Sequence, residues 1–546
     1  MTSQDLPASP DLCALSAGEL ARLIAAGSMS AAQAVEAHIE RIEQVNPSLN
    51  AVVVKRYAEA RAEAREADRR RASGAPLGPL HGVPVTVKEC LDIAGLPSTF
   101  GLTTRAQHTA ESDDPYVARL RAAGAIVLGK TNVAQLLLAL ESSNPVYGRS
   151  SNPWNLDRSP GGSSGGEGAI IAAGGSALGI GTDIGGSVRI PAAFCGITAL
   201  KPTQGRAPDR GRFSVPIGQR AVVSQVGVLA RTVDDVALGL GVIANSGDGE
   251  SNLEPAIPLG DYRAVDVAQL RVAVYEDDGA YPTGPAVRRA VREAAAILAA
   301  AGARVTPWTP PSAREAVDLY FGLLTADRGR GLGAMARGSK IDPTIAPLLM
   351  FGQRSRPVLG LLRTLLNAVG QRGSSDKLRP FGHGDTSHYW DLVERQMAYR
   401  EAFLRAMDSA DGGPFDVVLC PPCAVPAYTH GAARDLGLLG SYSLLANLLG
   451  FPAGVVPVTR ARADEQPGRP ASRDAVDTAA RRVEQNAAGL PLGAQIVARP
   501  WREDVALAAM RAIESGASTG AEYPYTPVDP ARSGRSNPAG VPHRPA

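Results

Sequence analysis

Two glycine-serine clusters, Gly161-Gly162-Ser163-Ser164-Gly165-Gly166 and Gly185-Gly186-Ser187, follow a lysine, Lys88, that closes the apolar run Val83-Pro84-Val85-Thr86-Val87. A serine is a weak nucleophile at neutral pH unless a base takes its proton, and amide cleavage also needs N–H donors aimed at the oxyanion. A buried lysine can supply the base, because burial disfavours the ammonium, and glycines leave backbone N–H groups unshielded. The chemistry open to this set is acyl transfer. In a strand, Lys88 shares a face with Thr86 while Val83, Val85 and Val87 take the other, so a sheet covered on both sides carries the lysine inside. A lone lysine at a strand end more often reaches solvent; the serine clusters argue for the interior.

Each serine has a reason for its place. Ser163 follows the turn-like Asp157-Arg158-Ser159-Pro160 and precedes an Ala/Ile-rich helical run, which puts it at a helix N-terminus among unpaired N–H groups. Ser187 follows an apparent strand, Ala177 to Ile184, and the two glycines before it permit a tight turn. Ser187 is therefore read as the nucleophile, with Ser163 passing its proton to Lys88. A single Gly/Ser-rich segment is ordinarily a flexible loop; two beside apolar elements are harder to dismiss. Asp183 and Arg189 flank the nucleophile with opposite charge and are expected to brace the loop, the alternative being a surface pair of little worth.

The elements that must hold these residues read as α/β. Ser16-Ala17-Gly18-Glu19 and Ser30-Ala31-Ala32-Gln33 have the form of capping boxes, so two helices are expected at the start, the second reaching about Ile42. From Leu77, short β-branched runs (Val83 to Val87, Ala125 to Leu128, Ala177 to Ile180) alternate with helical ones (Val117 to Ala123, Ala169 to Ala173). Later strands are predicted at Leu270 to Tyr275, Asp416 to Leu419, Ala453 to Val458 and Leu492 to Val497. The expectation is a large mixed β-sheet core covered by helices on both faces, α/β/α. Residues 1–75 read as N-terminal helices packed on that core, 76–522 as the catalytic domain with a polar surface insertion at 459–488, and 523–546 as a disordered tail.

Composition narrows the class. With 56 Lys+Arg against 54 Asp+Glu the formal charge is +2, so no bulk electrostatic case for nucleic acid exists. Five cysteines make no disulfide framework and Met1-Thr2-Ser3-Gln4-Asp5 does not begin a signal peptide, so a cytoplasmic protein is expected. Three motifs are set aside. Gly124 to Thr131 has P-loop spacing, but its intervening residues are strand-like. Gly161 to Gly165 satisfies G-x-S-x-G without the preceding strand of a nucleophile elbow. Cys420-Pro421-Pro422-Cys423 has redox spacing, but Pro426 follows too closely for a thiol-activating helix. The histidines lack ligand spacing; neither a metal nor a cofactor is expected.

The stretch GGSSGGEGAIIAAGGSALGIGTDIGGSVRIPAAFCG, Gly161 to Gly196, resembles the signature of the amidase signature family, and GVPVTVKE, Gly82 to Glu89, resembles its lysine motif. The likeness continues through KTNVAQ at Lys130, SNPWN at Ser151, LKPT at Leu200, LLGFPAGVVPV at Leu448 and GLPLGAQIV at Gly489. It implies the amidase signature fold, Ser187 as acyl-enzyme nucleophile, Ser163 as bridging serine and Lys88 as base. It also implies an oxyanion hole from the N–H groups of Ile184, Gly185, Gly186 and Ser187. Gly165-Gly166-Glu167-Gly168 and SNPVYG at Ser143 are similar to the fatty-acid amide hydrolase branch, which implies an N-acyl amide with an apolar chain as the small-molecule substrate. Leu137 and Leu138 stand where the branch's mammalian member is bulkier beside its acyl channel, so chain length is left open, and no counterpart of that member's N-terminal membrane helix is expected. The run 345–369, leucine-rich and interrupted by Arg354, Arg356 and Arg363, reads either as two amphipathic helices making peripheral membrane contact or as leucines facing the core. A homodimer stays open. Two rivals remain: the A-type component of a glutamine-dependent amidotransferase, against which Glu167 and the leucine-rich run argue, and a catalytically silent binding protein on the same scaffold.

Overall fold

Short strands with two apolar faces bury both only when they line up in one sheet between layers of helices. The computed structural model, which describes residues 11–207, 218–244, 257–382, 384–465, 469 and 471–530, adopts that solution. Its strands are β1 (Val52–Lys55), β2 (Pro84–Lys88), β3 (Ile126–Thr131), β4 (Ser143–Asn144), β5 (Gly148–Arg149), β6 (Leu178–Asp183), β7 (Thr198–Lys201), β8 (Gln225–Ala230), β9 (Arg271–Val274), β10 (Arg304–Pro307), β11 (Val417–Cys420), β12 (Ala453–Arg460) and β13 (Pro491–Ala498). Eleven form one mixed sheet in the order β1-β3-β2-β6-β8-β7-β12-β13-β11-β9-β10, and β4 and β5 pair separately. Strands β3, β2 and β6 are parallel neighbours, so Thr131, Lys88 and Asp183 finish on the same side of the sheet. The C-terminal ends of parallel strands are where α/β folds place their ligands.

Both capping boxes form: Ser16 Oγ accepts the Glu19 N–H at 3.1 Å and Ser30 Oγ that of Gln33 at 3.0 Å, each reciprocated by the acidic or amide side chain. The second helix passes the expected end at Ile42 and runs to Leu49, because Val45 and Leu49 continue its buried face. Asn50 stops it in the left-handed region at φ 48°, and the Asn46 side chain accepts from the next two N–H groups. The N-terminal segment does more than pack on the core. It adds a third helix, Tyr57–Ala72, and its strand β1 forms the edge of the sheet, antiparallel to β3.

Two other segments make contacts that the sequence did not show. In 459–488 the helix Ala475–Glu484 ends in the carbonyls of Val483, Gln485 and Asn486, all of which accept from the buried Arg158 guanidinium. That contact ties the segment to the loop before Ser163. Tyr523–Pro530, read as part of a disordered tail, lies against the core: Val528 N–H donates to Ala172, and its carbonyl accepts from Arg41. The continuation, 531–546, lies outside the described residues.

Candidate active site

Lys88 ends β2 with its side chain completely buried. Its Nζ lies 2.8 Å from Ser163 Oγ, 2.9 Å from Thr182 Oγ1 and 3.1 Å from the Thr182 carbonyl. Thr182 comes from β6, and Ser163 from the turn that feeds the helix Gly165–Ala172. The glycines of that helix are required by space, since a side chain at Gly166 would overlap the Asn132 amide. Under Lys88, on the same face of β2, the Thr86 hydroxyl donates to Glu167 at 2.7 Å, and Thr131 of β3 donates to the other carboxyl oxygen at 2.8 Å. A side chain at Gly179 would overlap this carboxyl. Burial pushes the Glu167 carboxyl up to about 8 against the two threonine hydrogen bonds and the charge of Lys88.

Ser187 stands in the loop between β6 and the helix Arg189–Cys195, 5% exposed. Its carbonyl accepts the Ser164 N–H at 3.1 Å, which joins the two serine loops. Gly186 turns the chain at φ 113°, where a side chain would sit 2.7 Å from Ser443 Cβ. Asp183 fastens the loop from beneath, accepting the N–H groups of Gly186 at 2.8 Å and Val188 at 3.1 Å. The Gly186 N–H, expected among the oxyanion donors, donates to the Asp183 carboxylate. The N–H groups of Ile184, Gly185 and Ser187 carry no such partner among the described residues.

The Asp183–Arg189 pair is fully buried, which removes the surface-pair alternative. Arg189 forks onto both carboxylate oxygens at 2.9 and 3.0 Å, then reaches the Ser443 carbonyl, Gln495 Oε1 and Asn447 Oδ1. Burial alone would raise the Asp183 carboxyl; the Arg189 charge and hydrogen bonds hold it well below the usual carboxylate range. Asn447 and Gln495 were missed in the sequence. Gln495 lies inside the GLPLGAQIV run, and a polar residue in the middle of an apolar strand was the available signal. Tyr320, also missed, donates to the Ile184 carbonyl at 3.0 Å and fixes the loop from above. Cys420 and Cys423 are buried free thiols, and burial pushes the Cys420 thiol up to about 11.

Ser163, Thr182, Ile184, Gly185 and Ser187 open onto one cavity of about 450 Å³. Its walls are mostly aliphatic and aromatic, among them Leu137, Leu138, Leu140, Phe321 and Leu324. The helices Ala346–Gly352 and Arg356–Ala368 close it with Leu348, Phe351, Leu362 and Leu366. The outward face of the second helix leaves Val358, Leu361 and Leu365 more than half exposed, as is Val369 just after its end. The run 345–369 therefore faces both ways, lining the cavity and presenting leucines to the outside.

The family model described as Amidase matches residues 33–507. A fatty-acid amide hydrolase 1 from Sus scrofa is 35% identical over 513 residues, which cover 92% of this chain and 86% of that protein. An indoleacetamide hydrolase from Bradyrhizobium diazoefficiens is 32% identical over 518 residues, covering 94% of this chain and 88% of the other. A solved fatty acid amide hydrolase structure superposes with a TM-score of 0.81 at 26% identity, covering 95% of this chain and 88% of that one.

Proposed function

Because the chain belongs to the amidase signature family and is an amide-hydrolysing enzyme like the fatty-acid amide hydrolases, we propose that it cleaves N-acyl amides with apolar chains through an acyl-enzyme on Ser187. The observation that carries this reading is the 2.8 Å contact of buried Lys88 with Ser163, in a cavity that Ser163 shares with Ser187. Neutral Lys88 accepts the Ser163 proton as Ser163 takes the proton of Ser187, whose Oγ bonds to the substrate carbonyl carbon. The N–H groups of Ile184, Gly185 and Ser187 hold the resulting oxyanion. The C–N bond then breaks, the departing amine takes a proton back through Ser163, and water repeats the attack to release the acid. Aliphatic walls well beyond the nucleophile favour an acyl chain over the small carboxamide of glutamine, which sets this reading ahead of the amidotransferase one.

The outward leucines of Arg356–Ala368, with Arg354 and Arg356 beside them, support peripheral contact with a lipid surface from which such a chain enters. No helix among the described residues is long and apolar enough to cross a membrane. A fluorophosphonate probe should label the protein covalently, and Ser187→Ala should abolish both labelling and hydrolysis while leaving the circular dichroism spectrum intact. Substantial turnover by that variant overturns the assignment, and absence of labelling in the wild type favours the silent binding protein.

A further inference from the structure

An oxyanion is held well only when several N–H groups converge on one point, and each of them converges only if its whole peptide plane is fixed. In a trans peptide the carbonyl and the N–H point in opposite directions, so a group that grips the carbonyl also aims the N–H. The nucleophile loop is gripped in this way at the three peptides whose N–H groups have no partner among the described residues. The bonds Asp183-Ile184, Ile184-Gly185 and Gly186-Ser187 are trans. Their carbonyls accept, in turn, from Asn447 Nδ2 at 3.1 Å, the Tyr320 hydroxyl at 3.0 Å and the Ile190 N–H at 2.7 Å.

The three grips differ in kind. Ile190 is local, standing on the helix Arg189–Cys195 that follows the loop. Asn447 is shared, since it also donates to Asp183 Oδ1 and accepts from Arg189. Tyr320 is dedicated: among the described residues its hydroxyl makes the one bond to Ile184. It comes from the helix Ala313–Leu324, which packs on the helix Ser441–Leu449 that carries Asn447. The side chain is buried on the cavity wall, and its ring meets Phe321 edge to face with centroids 5.1 Å apart. A side chain at Gly185 would overlap the hydroxyl, so the glycine is what lets a phenol reach this peptide. Burial and the Asp183 charge push the phenol up against the opposing charge of Arg189, so it keeps its proton and donates through the neutral range.

Resting on the acyl-enzyme reading above, we propose that Tyr320 is a positioning residue for the oxyanion hole. By holding the Ile184 carbonyl it aims the Gly185 N–H at the oxygen that turns negative when Ser187 attacks. It acts through the peptide and does not meet the reacting atoms itself. The same bond polarises the peptide and makes the N–H at its other end a stronger donor. Demand for that donor arises only as charge develops on the oxygen, so the effect falls on the transition state and not on substrate binding.

Tyr320→Phe keeps the ring and removes the grip. With N-dodecanoylethanolamine, kcat should fall about ten-fold at unchanged KM, short of the roughly hundred-fold or greater cost of deleting an oxyanion donor outright. Dodecyl trifluoromethyl ketone bonds through its carbonyl carbon to Ser187 Oγ, whose proton passes to Lys88, and sets a negative oxygen in the same hole. Its inhibition constant should weaken by the same factor, while that of dodecanol, which has no carbonyl, holds at the wild-type value. A loss carried by KM and dodecanol would make Tyr320 a wall residue only, and wild-type kcat with wild-type ketone affinity would leave it no role; either overturns the proposal. If Tyr320→Phe shows no cooperative melting transition, Tyr320→3-fluorotyrosine takes its place. Its more acidic hydroxyl grips harder, so the ketone should bind more tightly, and unchanged or weaker binding overturns the proposal. Turnover by Ser187→Ala would instead sink the acyl-enzyme reading, so the two failures are distinguishable.

Discussion

Lys88 owes its place to strand alternation. Thr86 and Lys88 project from one face of β2 into a covered sheet, so the Lys88 Nζ is kept from water and meets Ser163 Oγ, Thr182 Oγ1 and the Thr182 carbonyl instead. Lys88→Ala should lower kcat roughly thousand-fold at neutral pH, the scale of a general base, and regain part of it in alkaline buffer, where hydroxide replaces the base. A flat alkaline profile would speak against the assignment. Glu167 sits on the same face with an upward-shifted carboxyl, about 8 against an ordinary 4.5. A folded-state value above the unfolded one means that the folded protein holds the extra proton. The stabilisation is full below the ordinary value and is lost as pH rises through about 8. Between about pH 6 and about pH 9 the wild type should therefore lose more of its thermal midpoint than Glu167→Gln, as differential scanning fluorimetry would show; parallel losses would refute it. The serine and lysine positions were legible because their motifs are local. Asn447, Gln495 and Tyr320 were not, since each becomes part of the site only by meeting a residue more than a hundred positions away.

Among the elements, the predicted strands β2, β3, β6, β9, β11, β12 and β13 are those whose apolar runs are easiest to see. Others carry the reason for being overlooked in their sequence: β7 ends in Lys201, β8 has Gly227 in its middle, and β10 is mostly exposed. Lys201 is tolerated because its Nζ donates to the carbonyls of Pro202 and Phe451, and burial lowers its pKa to about 7. The helix Arg356–Ala368 shows why periodicity alone left two readings open. Leu362 and Leu366 line the cavity while Leu361 and Leu365, one position earlier in each case, face outward, so apolar residues cover much of the circumference. Replacing Leu361 and Leu365 together by Glu should abolish co-sedimentation with anionic liposomes yet preserve hydrolysis of a water-soluble substrate. A wild type that stays in the supernatant would end the membrane reading.

Across the whole molecule, β12 and β13 lie between the early and late strands of the sheet, and the site draws on both groups. Lys88, Ser163 and Ser187 come from the first, Ser443, Asn447 and Gln495 from later strands and helices. The far end of the described chain is stitched back to the helix that follows Ser163: Val528 bonds to Ala172 and Arg41, and Pro527 lies on Gly174. Ending the chain before Tyr523 should cost about 2 kcal/mol, two hydrogen bonds' worth, read as a lower urea midpoint at unchanged slope; an unmoved midpoint would show that the segment adds no stability. The span of 306 residues between Arg189 and Gln495 has a consequence for biosynthesis. On the ribosome, the loop bearing the proposed nucleophile is made long before the amide that steadies its arginine, so an emerging polypeptide holds that serine without its full brace. Hydrolytic competence is expected only when translation has delivered β13, which keeps the nascent chain inert towards any amide it meets while growing.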